Sequence, residues 1–169
     1  VLIIQSLYGL DFEIKNLAKA EDTQILQQLL QSNESTLDVG LAGTTMRFLT
    51  AYLSLKEGEF TLTGANRMKQ RAIKILVEAL KQLGATIKYL EEVGYPPLNI
   101  KGGSIVGDKV EIKGSVSSQY ISALLLIAPK LKNGLTIELK GEVISRPYIE
   151  MTIVTMQYFG AEVNWEGST

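Results

Sequence analysis

Short stretches in which polar and apolar residues alternate run through the chain, separated by longer stretches with apolar residues at helical spacing. The alternating stretches 11–16, 37–39, 59–63, 85–90, 98–100, 109–113, 135–139 and 161–165 read as strands, most of them with one buried face. Between them, apolar residues three and four apart predict helices over 24–31, 46–55, 70–83, 119–128 and 148–159. Residues 1–9 read as the back half of a helix stopped by a glycine just past its end, and Asp22-Thr23 as the cap of the helix that follows.

The order of these elements repeats. Gly9-Leu10-Asp11-Phe12-Glu13-Ile14-Lys15-Asn16 aligns with Gly134-Leu135-Thr136-Ile137-Glu138-Leu139-Lys140-Gly141. Gln82-Leu83-Gly84-Ala85-Thr86-Ile87 aligns in the same way with Tyr158-Phe159-Gly160-Ala161-Glu162-Val163. A glycine after a helix and before a strand is common by itself, but two alignments in one element order predict true repetition. The expected architecture is α/β, with three βαβαββ units of which the first lacks its start and the third its end. No linker or low-complexity stretch divides them, so residues 1–169 are expected to form a single domain, and a fragment of a longer chain.

Composition narrows the function more than the fold. At 169 residues, 46% hydrophobic and 21% charged, the chain can bury a sizeable core. A net charge of −1 with interspersed signs argues against duplex nucleic acid as a partner. Without Cys or His, the chain has no disulfide framework, zinc finger, Cys nucleophile or Ser-His triad of its own. No apolar run is long enough to span a bilayer, and no signal-peptide layout opens the chain, so a cytoplasmic setting is expected.

The candidate chemistry sits in turns that open helices: Gly43-Thr44-Thr45, Ala65-Asn66-Arg67, Ser117-Ser118-Gln119 and Ser145-Arg146-Pro147-Tyr148. Equivalent turns of repeated α/β units tend to fall on one side, which would gather them into one polar surface. Hydroxyls, an amide and unpaired backbone N–H groups at helix starts, together with the fork of Arg67, suit a small, oxygen-rich anion. Each element also has a plainer role: Ser as N-cap, Pro147 as an ordinary first-turn residue, and Arg47, Arg67 and Arg71 as surface charges or internal ion pairs. No pair of carboxylates stands out as an acid/base couple, since Glu78, Glu91 and Glu92 fall on solvated faces. Tyr95-Pro96-Pro97 reads as a rigid turn. From the residues alone, the reaction stays open.

Five segments carry a resemblance: Ala42-Gly43-Thr44-Thr45-Met46-Arg47, Leu62 to Arg71, Tyr95-Pro96-Pro97-Leu98, Gly114 to Tyr120, and Ser145-Arg146-Pro147-Tyr148-Ile149. In order and spacing they resemble the 5-enolpyruvylshikimate-3-phosphate synthases of the enolpyruvyl transferase family. The resemblance implies an alpha-beta prism domain, one of two, with the active site in the cleft between them and no metal or organic cofactor. The implied reaction moves the enolpyruvyl group of phosphoenolpyruvate onto shikimate 3-phosphate through a tetrahedral intermediate, with release of phosphate. By matching motif, Ser117, Ser118, Gln119, Ser145 and Tyr148 would hold shikimate 3-phosphate, and Gly43, Arg67 and Gln119 would hold phosphoenolpyruvate. No catalytic acid or base is implied within the chain. That carboxylate pair would belong to the second domain, so the chain alone is expected to be inactive. Departures from the family pattern are Leu41 for a polar residue, Ala65-Asn66 for Glu-Pro, and Ala72 for a proline. Two other readings stand beside this one: the sister transferase acting on UDP-N-acetylglucosamine, and a non-catalytic anion-binding module of the same fold.

Overall fold

The computed structural model describes residues 1–103 and 105–166. Its organising elements are two helices buried on nearly every side. Helix α3 (Gly43–Leu55) buries Met46, Leu49, Ala51, Tyr52 and Leu53, and α6 (Ser118–Ile127) buries Ile121, Ala123, Leu124, Leu126 and Ile127. A helix apolar all round has no solvent face to keep, so the two pack against each other at the centre. Two of the polar residues buried by α3 are satisfied within the helix. Thr50 and Ser54 donate to the carbonyls of Met46 and Thr50, at 2.7 and 2.8 Å.

Around this pair the complete unit reads β1 (Thr36–Asp38), α3, β2 (Glu59–Thr63), α4 (Asn66–Lys69), α5 (Lys74–Gln82), β3 (Thr86–Tyr89) and β4 (Leu98–Lys101). Its four strands form one sheet in the order β1-β2-β4-β3, with β1 parallel to β2 and the other pairs antiparallel. The register places Leu37 beside Leu62, Leu62 beside Leu98, and Ile100 between Phe60 and Ile87, so one face of the sheet is apolar and buried. The next unit supplies β5 (Lys109–Lys113), α6, β6 (Thr136–Lys140) and α7 (Arg146–Tyr158), with β5 and β6 parallel. The residues before β1 supply only α1 (Leu2–Tyr8), closed by Gly9 in the left-handed region, and α2 (Glu21–Gln31).

Several expectations change. Neither 11–16 nor 161–165 forms a strand. Both keep the burial that their alternation predicts: Phe12 and Ile14 are half-buried between exposed neighbours, as are Ala161, Val163 and Trp165. A strand also needs a ladder partner, and none runs beside either segment among the described residues. Phe12 instead stacks on Phe159 at 5.2 Å. The helix expected over 70–83 is shorter: it runs as α5 over Lys74–Gln82, after the separate turn α4, and at its start the Ile73 N–H bonds the carbonyl of Gly94, at 2.9 Å. Asp22 lies inside the first turn of α2, whose cap position is Ala20, and its carboxylate serves another helix. No helix among the described residues is long and apolar enough to cross a membrane.

Candidate active site

Parallel strands joined through a helix send that helix back along them, so its N-terminus lies at the strands' C-terminal ends. The turn after β1 opens α3, that after β2 opens α4, that after β5 opens α6 and that after β6 opens α7. Side-chain and backbone contacts link these four helices. Gln119, at the second position of α6, donates from Nε2 to Thr44 Oγ1 on the first turn of α3 at 3.2 Å. Ser122 of α6 meets Thr152 of α7 at 2.8 Å. The Ala65 N–H, at the start of α4, bonds the carbonyl of Gly40 in the turn before α3 at 3.0 Å.

Gly43 and Gln119 therefore share one corner. Ser117 caps α6 by accepting the Gln119 N–H at 3.4 Å, so the capping role read from the sequence is real. Ser118 beside it is half-buried, and its hydroxyl has no protein partner among the described residues. Ser145 takes the cap position of α7 without a side-chain bond, and Tyr148, one turn in, is 63% exposed. Arg67 stands exposed on α4 with no ion pair among the described residues. Arg146 differs: its Nε donates to Glu150 at 2.8 Å and its guanidinium covers the ring of Trp165. The site residues expected for each ligand thus lie at or near the starts of four helices, and of these Gln119 is joined by a side-chain bond to the first turn of α3, next to Gly43.

The structure adds residues whose roles were not assigned from sequence. Arg47 is neither a surface charge nor an ion-paired one. Only 5% exposed, it donates to the carbonyls of Gly43 and Ala72, at 3.1 and 3.2 Å, and to the sulfur of Met68 at 3.6 Å. Burial, more than any neighbour, pushes its guanidinium below the usual arginine range. Tyr120 OH donates to the same Ala72 carbonyl at 2.8 Å. Asp22 Oδ2 accepts the Thr44 N–H at 3.1 Å, and its carbonyl takes the Thr45 hydroxyl at 2.8 Å, so a carboxylate of α2 caps α3. A cleft of about 350 Å³ opens beside it, with Asp22 and Thr44 at its polar end and Ile3, Leu26, Phe48 and Leu126 among its apolar walls.

The family model for EPSP synthase (3-phosphoshikimate 1-carboxyvinyltransferase) matches residues 2–169. The chain belongs to this family. It is 51% identical over 164 residues to the 3-phosphoshikimate 1-carboxyvinyltransferase of Bacteroides fragilis strain YCH46, covering 97% of this chain and 40% of the relative. The 3-phosphoshikimate 1-carboxyvinyltransferase of Shewanella halifaxensis is 52% identical over 128 residues, covering 76% of this chain and 30% of its own. The chain thus spans about two fifths or less of the length of these relatives. An EPSP synthase structure from Acinetobacter baumannii superimposes with a TM-score of 0.80 at 21% identity, over 98% of this chain and 43% of that one. At that identity the likeness concerns the fold, and it agrees with the repeated α/β architecture expected from sequence.

Proposed function

We propose that the full-length polypeptide carrying this chain transfers the enolpyruvyl group of phosphoenolpyruvate to the 5-hydroxyl of shikimate 3-phosphate and releases phosphate. Membership of the EPSP synthase family supports the reaction class. The single observation that carries the site is the Gln119–Thr44 contact, which joins the starts of α3 and α6 across 75 residues of sequence. In this reading Gly43, Arg67 and Gln119 hold phosphoenolpyruvate, and Ser117, Ser118, Gln119, Ser145 and Tyr148 hold shikimate 3-phosphate. Both substrates are phosphorylated carboxylates, and backbone N–H groups at helix starts with a forked guanidinium match them in charge and geometry. Gln119 can serve both, since its amide offers donors and an acceptor.

What these residues do is bind and orient. The 5-hydroxyl of shikimate 3-phosphate must be held against the phosphate-bearing carbon of phosphoenolpyruvate, and such positioning is a large part of the catalytic effect of any two-substrate site. Proton transfer to and from the tetrahedral intermediate is assigned to a second domain closing over this edge, so residues 1–169 form most of one of two domains. A reducing, cytoplasmic setting belongs to the same reading.

The test is phosphate release from both substrates together. Full-length protein is expected to release it catalytically, and the 169-residue chain is not. Ser118→Ala and Arg67→Ala are each expected to weaken substrate binding at least tenfold. Turnover by the chain alone would remove the second domain from the argument, and unchanged binding in both variants would remove this site.

A further inference from the structure

The carbonyl of Ala72 takes donors from two different helices. Arg47 of α3 reaches it through Nη2 at 3.2 Å, and the hydroxyl of Tyr120 on α6 at 2.8 Å. A carbonyl oxygen has two lone pairs, so this acceptor is fully used. Ala72 lies in residues 70–73, the link between α4 and α5. It is exposed, and its N–H has no protein partner among the described residues, so its carbonyl is the part that holds it.

The link sets the placement of α4. Four residues make a single helical turn, which has little stability of its own and takes its position from what surrounds it. Met68 anchors the turn from below, fully buried and with its sulfur 3.6 Å from Arg47 Nη1, and three residues beyond Lys69 the chain reaches Ala72. Arg67 rides on this turn. Three contacts close a triangle around it. Gln119 with Thr44 joins α6 to α3, Arg47 joins α3 to the link, and Tyr120 joins the link back to α6. Without the third side, the link can swing relative to α6. Gln119 and Tyr120 are successive residues, so one turn of α6 holds both other corners.

We propose that Tyr120 is a positioning residue of the transfer reaction: its hydroxyl fixes the Ala72 carbonyl, and with it the α4 turn, so that Arg67 meets the phosphoenolpyruvate held beside Gln119. The inference rests on the substrate reading given above and adds to it a residue that acts on substrate only through another. The aromatic ring packs with or without its hydroxyl, so the role belongs to the hydroxyl alone.

The test is Tyr120→Phe in the full-length protein, which keeps the ring and removes the bond. The KM for phosphoenolpyruvate is expected to rise about five- to twentyfold, from one lost hydrogen bond and the displacement that follows. The kcat at saturation and the KM for shikimate 3-phosphate are expected to stay within about twofold, because Ser117, Ser118 and Gln119 keep their places on α6. Tyr120→Phe combined with Arg67→Ala should bind phosphoenolpyruvate no more weakly than Arg67→Ala alone. A lowered Tm with unchanged kinetic constants is what a merely structural bond gives, and it overturns the proposal. So do an equal rise in both KM values, which marks a shift of α6 itself, and losses that multiply in the double variant. If the native protein releases no phosphate, the transfer reaction fails first. Inorganic phosphate titrated against native and Tyr120→Phe proteins, followed at the Arg67 Nε–H by NMR, then decides the role of Tyr120. Weaker binding in the variant sustains it and equal binding overturns it.

Discussion

Replacing Gln119 by Glu is expected to move stability and anion affinity in opposite directions. Gln119 sits at the second position of α6 and also touches the first turn of α3 through Thr44. A carboxylate of the same shape keeps that contact, because the Thr44 hydroxyl can turn and donate to it. It also places a negative charge at the start of two helices, a stabilisation of about 0.3–1 kcal/mol. For a chain of this length about 1 kcal/mol corresponds to about 2–4 °C, so Tm should rise by about 1–4 °C. The bound anion experiences the reverse. At a separation of about 5 Å and an effective dielectric of about 20, two unit charges repel by about 3 kcal/mol, roughly a hundredfold in affinity. Thermal unfolding monitored by circular dichroism and the KM for phosphoenolpyruvate in the full-length protein measure the two effects. A lower Tm would mean that Gln119 does not stand at the shared helix starts. An affinity within about threefold of native would mean that the anion does not face it.

Three further outcomes are expected. Tyr120→Phe removes the bond to the Ala72 carbonyl, which costs about 1 kcal/mol and lowers Tm by about 2–4 °C; no change would show that this bond is replaced by water. Burial, with Glu78 adding to it, raises Tyr89 from 10.0 to about 12, so the folded state favours the neutral phenol. The stability this contributes is fully present below pH 10 and is lost as pH rises towards 12, and urea midpoints between those values should fall more steeply for native protein than for Tyr89→Phe. Met151, Val154 and Tyr158 expose 62%, 63% and 84% of their surface along one helix. The isolated chain should therefore self-associate at about 50 µM in sedimentation, and Met151→Lys with Val154→Glu should reduce this; a monomeric native chain would refute it.

Much of the architecture was legible because local signals and tertiary demands coincide. The strand at Glu59–Thr63 is alternating, closed by turns and buried on one face, and it forms where the pattern places it. At 11–16 and 161–165 the alternation identified the inward side chains correctly, yet pairing depends on a neighbour that local periodicity does not encode. At the start of α5 the Ile73 N–H bonds Gly94, 21 residues downstream, and no signal near Ile73 announces it. Asp22 before an apolar run looks like the cap of its own helix, but it caps another through Thr44, 22 residues further on. The helix-opening turns were visible from their small and hydroxyl residues. The approach of the Arg71 guanidinium to Gly43 was not, because it depends on the β-carbon that Gly43 lacks.

The bond between Gln119 and Thr44 has a consequence for how the protein acquires its site. Its two partners are 75 residues apart, so no local piece of chain contains the anion-binding corner. Contacts of such separation carry a loop-closure cost that must be met before they return any stability, and they tend to form late. The corner therefore comes into existence with the finished fold, and a ligand that recognises it recognises only molecules that have completed folding. By mass action such a ligand also holds them there: at a hundred times its Kd it would add about 2.7 kcal/mol to the folded state. Substrate supply and the folded population of this protein are, by that route, coupled quantities.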